Sequence, residues 1–311
     1  MSRNYNLGSR NMADAARIAL SREARRGNLS FLSVETLSER FSHFSVFAKL
    51  NVIGRMERVT FDLVVQYGRS LAAKVEKGNL SAAYAQNLVS AVNTVFRVVR
   101  SDWKSISPTK DCGIPRRCAI RQTPTLTITE AKLAIQYLRN ANKERLASIA
   151  ELALTFGLRS KEASLLDNLE AIKKVNKSGH ITIGKGTKGG RQRVLKINNL
   201  NELNVLNRCA KLQAKGRSLM PIQANWKSWR EKDLRQGREL LHQHGIKGFH
   251  EFRAVYAASR YKEITGWEAP VNGGYILDRQ VDLNARQKIA EALGHGRIDV
   301  VGEYIGSRKI T

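Results

Sequence analysis

The chain has 311 residues, with 53 Lys or Arg against 27 Asp or Glu, a formal charge of +26 and a pI near 10.4. That imbalance predicts a polyanionic partner, and a hydrophobic content of 42% excludes a disordered polycation, because it is enough for real cores. No apolar run reaches the roughly 18 residues of a membrane span and no signal-peptide core opens the chain, which predicts a cytoplasmic or nucleoid protein.

Cys112, Cys118 and Cys209 are too scattered for a disulfide framework or paired metal-ligand doublets, so reduced thiols, no metal and no cofactor are expected. The length predicts about two domains. Up to Pro124 there are 20 basic and 9 acidic residues, and beyond it 33 and 18. Both parts are basic, which suits a protein that grips a nucleic acid from two sides.

In chain order, apolar spacing predicts helices over Met12 to Ala24, Ser33 to Leu50, from a Thr60 cap through Leu71, and from Ser81 to Trp103. Residues 1–105 therefore read as a helical domain. Arg55, Arg58, Arg69, Arg97, Arg100 and Lys104 stand on its polar faces. Singly each reads as solvated surface; together they make a basic side. Residues 106–125 hold Pro108, Pro115 and Pro124 among Arg116, Arg117 and Arg121, and read as a basic linker able to lie along phosphates.

Residues 126–311 read as a mixed domain. A helix capped by Thr129 is followed by one from Arg145 to Phe156, nearly apolar all round and hence buried, which Gly157 ends. Another helix begins near Ser160, leaving Arg159 at a helix junction. His180 to Gly184 and Arg191 to Ile197 read as strands around G-K-G-T-K-G-G, a β-hairpin with a basic tip. Helices return at Leu200 to Lys215, Trp226 to His244, His250 to Thr265, Asn284 to Leu293 and Asp299 to Tyr304.

Four pieces carry chemistry: T-F-G-L-R-S-K-E at 155–162, G-T-K-G-G-R-Q-R at 186–193, F-H-E-F-R at 249–253, and L-G-H at 293–295 with Tyr304 beyond it. Cleaving a phosphodiester without metal requires cationic donors on its non-bridging oxygens, a nucleophile in line and an acid for the departing oxygen. The guanidinium fork suits the first task, and Arg159 and Arg253 are the candidates. His250 and Arg253 are three apart and share a helical face. Glu162, three residues after Arg159, can orient it or form a plain solvated pair. Each motif alone is weak and mostly structural in other chains. A phosphate cradle of the nucleotide-binding type is disfavoured, because G-K-G-T-K-G-G lacks the P-loop spacing and its following helix.

In this order and spacing the four pieces resemble the tyrosine recombinase (phage integrase) family. The resemblance implies a mainly α fold with a small β-hairpin: an N-terminal helical core-binding (SAM-like) domain and an α+β catalytic domain. It implies that Tyr304 is the nucleophile, that Arg159 and Arg253 hold the phosphate, that His250 assists proton transfer and that His295 donates to a phosphate oxygen. The family's catalytic lysine sits at the hairpin tip, about five residues before the second strand's apolar stretch. That count selects Lys188 over Lys185. Tyr256 and Tyr261, on the His250 helix, read as packing residues, and Tyr275 as a loop residue. Expected DNA contacts are Arg55, Arg58, Arg97, Arg100, Lys104, Arg116, Arg117, Lys185, Arg191 and Arg193.

Two features depart from the common pattern. Arg253 and His295 are 42 residues apart, longer than in compact members, which predicts an inserted loop over 266–288. Only seven residues follow Tyr304, a short segment for coupling to a neighbouring subunit. The function implied is a site-specific recombinase of a mobile element, acting on double-stranded attachment sites as a dimer per site and a tetramer in the synapse. Its reaction would pass through a Holliday junction, with an accessory bending or directionality factor as a further partner class. The other readings are a catalytically silent DNA-binding relative, a relaxing topoisomerase of the same chemistry and a generic polyanion binder.

Overall fold

The structure, a computed structural model, describes residues 3–213 and 217–307. The chain divides into two compact units, Met1–Cys118 and Ala119–Thr311.

The first unit is helical: α1 (Met12–Arg25), α2 (Phe31–Leu50), α3 (Phe61–Glu76) and α4 (Ala82–Val99). Asn11, Ser30, Thr60 and Ser81 cap them in turn, each side chain accepting from amides of the first turn that would otherwise be orphaned. Phe41, Phe44, Tyr67 and Phe96 meet at its centre, the Phe44 and Tyr67 rings 5.3 Å apart in the edge-on arrangement that their quadrupoles favour. Ile106, Cys112 and Ile114, in the stretch expected as linker, are buried in this same core. Buried Asn93 fastens them there, accepting from the Ile106 amide and the Trp103 indole and donating to the Ile106 carbonyl.

The second unit begins with α5 (Ile128–Asn140), α6 (Glu144–Phe156), α7 (Ser160–Leu165) and α8 (Asn168–Ser178). An antiparallel hairpin follows, β1 (His180–Ile183) and β2 (Arg193–Lys196), with Ile181 opposite Leu195 and Ile183 opposite Arg193. Then come α9 (Leu200–Gln213), α10 (Trp226–Glu231), α11 (Asp233–His242), α12 (His250–Thr265), α13 (Arg279–Leu293) and α14 (Gly302–Ile305). As its composition predicts, α6 is buried, packed against α5, α9 and α12. A second apolar cluster joins α12, α13 and α14, and Tyr304 belongs to it.

Several expected boundaries move. Thr127, not Thr129, caps α5, in a reciprocal box with Glu130. The single helix expected over Trp226 to His244 breaks at Lys232, whose φ and ψ are −101° and −78°. Asp278 caps α13 through the Gln280 and Val281 amides, so that helix starts five residues before Asn284 and takes up half of the expected insertion. The last expected helix is a 3-10 turn, Asp299–Val301, leading into α14. Among the described residues no helix is long and apolar enough to cross a membrane.

Candidate active site

Two helix ends and one helix start build the site. Gly157, the C-cap of α6, takes a left-handed conformation (φ 61°) and turns the chain sharply into Arg159. A Cβ there would lie 2.5 Å from the Tyr256 ring and 2.7 Å from Leu293, so both the backbone conformation and the close approach call for glycine. Gly294 ends α13 in the same way (φ 67°) and sets His295 back over the helix end. Between these ends, the first turn of α12 carries His250 and Arg253.

Arg253 is fully buried. Its Nε donates to the Tyr304 hydroxyl at 3.1 Å, one terminal nitrogen donates to the Gly157 carbonyl, and the other to the Leu293 carbonyl at 2.7 Å. Those carbonyls lie at the C-terminal ends of α6 and α13, where helix acceptors lack intrahelical partners and the dipole favours a cation. The Leu293-bound nitrogen also lies 3.1 Å from His295 Nε2, which is itself 3.2 Å from the Tyr304 hydroxyl. A guanidinium only donates, so His295 Nε2 accepts and its proton sits on Nδ1. Tyr304, 2% exposed, is thus ringed by Arg253, with its guanidinium carbon 5.4 Å from the ring centre, His250 at 5.1 Å and His295 at 5.7 Å between centroids.

Glu162 is the anionic counterweight. Its carboxylate accepts from Arg159 at 2.7 Å and from both terminal nitrogens of Arg193 at 2.9 and 2.8 Å, and from the Arg159 amide at 2.8 Å. Arg253 lies 3.9 Å away. Burial pushes this carboxyl's pKa up, but the Arg193 contact and charge outweigh it and the net shift is downward. Three guanidiniums around one carboxylate leave an uncompensated positive charge in a protected site, the electrostatic condition for holding an anion. The same surroundings depress both histidines to about 4: burial first and Arg253 next for each, with Arg159 contributing to both. His250 also keeps a solvent-open face. Either cause leaves both rings neutral near pH 7.

Among the residues expected at the site, the structure brings together Arg159, Glu162, His250, Arg253, His295 and Tyr304. Three placements differ from expectation. Arg193, expected on the DNA face, is 8% exposed, bidentate on Glu162 and bonded through Nε to the Ala292 carbonyl. The alternation of β2 was the available signal, because Arg193 and buried Leu195 share a face. Arg100 has its guanidinium on Asp102 and the Val59 carbonyl, and so is not free for phosphate. Arg253 presents no surface of its own to solvent; the Tyr304 hydroxyl occupies its Nε. The remaining expected contacts, Arg58, Arg97, Lys104, Arg116, Arg117, Lys185 and Arg191, are exposed, and Arg55 is half-buried. Lys188 is exposed on the hairpin tip. Gly186, next to Lys185, packs on the Lys161 carbonyl (2.9 Å to a notional Cβ), against the helix that carries Glu162.

The integrase family model matches residues 116–259, a span that includes Arg159, Lys188, His250 and Arg253. Over that span the chain is similar to the integrase family. Solved integrase and site-specific recombinase structures share its fold. A lambda integrase dimer bound to a COC′ core site aligns at a TM-score of 0.63 and 14% identity, over 96% of this chain and 79% of that one. The Tn1549 transposon integrase in complex with transposon right-end DNA aligns at 0.58 and 11%, over 94% and 95%. The XerH site-specific recombinase bound to its difH substrate aligns at 0.56 and 17%, over 95% and 81%. No curated protein sequence matches the chain.

Proposed function

We propose that the chain is a site-specific DNA recombinase, the integrase of a mobile element, which cleaves and rejoins duplex DNA through a covalent 3′-phosphotyrosine at Tyr304. The observation that carries this reading is the Tyr304 hydroxyl held between a guanidinium donor, Arg253 Nε, and a neutral imidazole acceptor, His295 Nε2. A free phenol has a pKa near ~10, and attack requires a cationic surround and a proton acceptor, both of which are present here.

In the proposed step the Tyr304 oxygen bonds to phosphorus and the bond from phosphorus to the 5′-oxygen breaks. The hydroxyl proton passes to a histidine, and a hairpin lysine protonates the leaving oxygen. The family resemblance implies proton transfer at His250; the hydrogen bond of His295 makes it the nearer acceptor, with His250 against the ring. Arg159, whose side chain is 21% exposed, is the guanidinium open to an incoming phosphate, and Arg253 supports the tyrosine from behind. Lys188 is the proposed acid, and Lys185, beside the Gly186 packing point, is the rival. The linkage conserves the bond energy, so religation to a second strand requires no cofactor. By likeness to the DNA-bound dimer and the Holliday-junction tetramer of lambda integrase, two protomers would occupy each site and four the synapse.

The test uses half-site duplexes selected from a random pool by binding to this protein, nicked so that the 5′-fragment diffuses away. A covalent protein–DNA adduct on a denaturing gel with the native chain, absent with Tyr304→Phe, is the expected result. Lys188→Ala should slow cleavage far more than Lys185→Ala, with rescue by a 5′-thiol leaving group; the reverse order would assign the role to Lys185. No adduct with the native chain would favour the silent DNA-binding relative.

A further inference from the structure

We propose that Arg286 is a positioning residue for Tyr304, and that the long segment between Arg253 and His295 exists in part to build the seat for the nucleophile within its own subunit. This rests on the recombinase reading above. Arg286 is 1% exposed, and its ion-pair partner Asp282 is 2% exposed. Asp282 accepts from Arg286 Nε at 2.8 Å and from the Tyr261 hydroxyl at 2.9 Å, so the carboxylate is neutralised and oriented in place. The two terminal nitrogens of Arg286 point away from that pair. They donate to the carbonyls of Gly306, at 3.1 Å, and Ser307, at 3.0 Å, the second and third residues after Tyr304.

A buried guanidinium braced on one side and bonded to consecutive carbonyls on the other fixes a short length of backbone, because its planar fork has little rotational freedom to lose. The opposite wall is Val271, in the 3-10 turn Pro270–Asn272. Gly306 has φ of 88°, and a Cβ on it would lie 2.9 Å from the Val271 nitrogen. That turn is itself moored, since Asn272 exchanges hydrogen bonds with Thr125. On the other side of the tyrosine, the Arg121 amide donates to the Gly302 carbonyl at 2.9 Å. Tyr304 therefore lies between two tethers, Arg121 before it and Arg286 after it.

The tethers have a consequence for the reaction. A hydroxyl that must attack in line loses rate steeply when displaced, on the order of 10²-fold for ~1 Å. The seat also delivers Tyr304 to the arginines of its own chain, so cleavage is in cis. Removing Arg286 should reduce the rate of chemistry and leave half-site affinity alone, because Arg286 faces the protein interior.

The experiment measures three things on Arg286→Ala, Arg286→Lys, Gly306→Ala and, as a control, exposed Gln287→Ala. Single-turnover cleavage of the nicked half-site should fall on the order of 10²-fold in Arg286→Ala and less in Arg286→Lys, with half-site affinity unchanged. Gln287→Ala should match the native chain. Gly306→Ala pushes the same segment off Val271 without unpairing a buried charge, and it should reproduce the defect if Arg286→Ala does not fold. Amide hydrogen exchange over residues 302–307 should quicken in the folded variants while α6 and α12 stay protected; this readout holds whether or not the chain cleaves DNA. Mixing Tyr304→Phe with Arg159→Ala should yield no adduct. Native cleavage rates with unchanged exchange in the Arg286 variants, or adduct restored in the mixture, would overturn the proposal. Faster exchange in the Arg286 variants, with no adduct from the native chain, would uphold the seat and reject the recombinase reading instead.

Discussion

At the scale of single residues, the site is a balance of cations around one carboxylate and two neutral imidazoles. Replacing Glu162 by Gln leaves Arg193 buried without its counter-charge, so a loss of about 3 kcal/mol is expected, measured by denaturant unfolding. The histidines set the acid side. Their folded pKa values, about 4, lie below the unfolded value of 6.5, so between those limits the unfolded chain binds more protons and stability falls as pH falls. The melting temperature should decline from pH 6.5 towards 4, and His295→Asn should flatten part of that decline; an unchanged profile would contradict the neutral assignment. The candidate site residues were legible because each is chemically scarce and motif-bound: Arg159, His250, Arg253, His295 and Tyr304 lie together in the structure. Arg193 was not, because an arginine in a basic loop looks like a phosphate contact until β2 shows which face it shares with Leu195.

At the scale of elements, the site depends on where helices stop. Gly157 and Gly294 end α6 and α13 so that the Gly157 and Leu293 carbonyls converge on Arg253. Gly157→Ala adds a methyl against Tyr256 and Leu293 at a left-handed φ. A destabilisation of roughly 2 to 3 kcal/mol is expected from overpacking alone, together with loss of cleavage. Glycine stops of this kind are readable from sequence, and Gly157 was placed correctly. The start of α13 was not, because Trp267 to Asp278 carries Pro and paired Gly that signal a loop. The cap by Asp278 becomes visible only once its side chain is seen accepting from the first-turn amides. The work of Arg286 was hidden for a related reason: its acceptors are backbone carbonyls twenty residues further along, which no side-chain pattern announces.

At the scale of the whole molecule, the basic charge and the order of four weak motifs carried the fold class, since a shared order is far less common than any motif alone. Composition did not resolve which arginines are surface and which are structure. If the exposed ones grip phosphates, log affinity for a half-site should fall with log salt by roughly 0.9 per phosphate contact. Arg58→Ala and Arg97→Ala should then each lower the slope by about 1. Arg100→Ala, whose guanidinium is already taken by Asp102 and Val59, should leave the slope unchanged. The most direct measurement of the central claim is to trap the native chain on a nicked half-site, digest the complex and identify the residue linked to the DNA 3′-phosphate by mass spectrometry. The account predicts a single phosphotyrosyl peptide containing Tyr304; linkage at another residue, or no covalent complex at all, would contradict it.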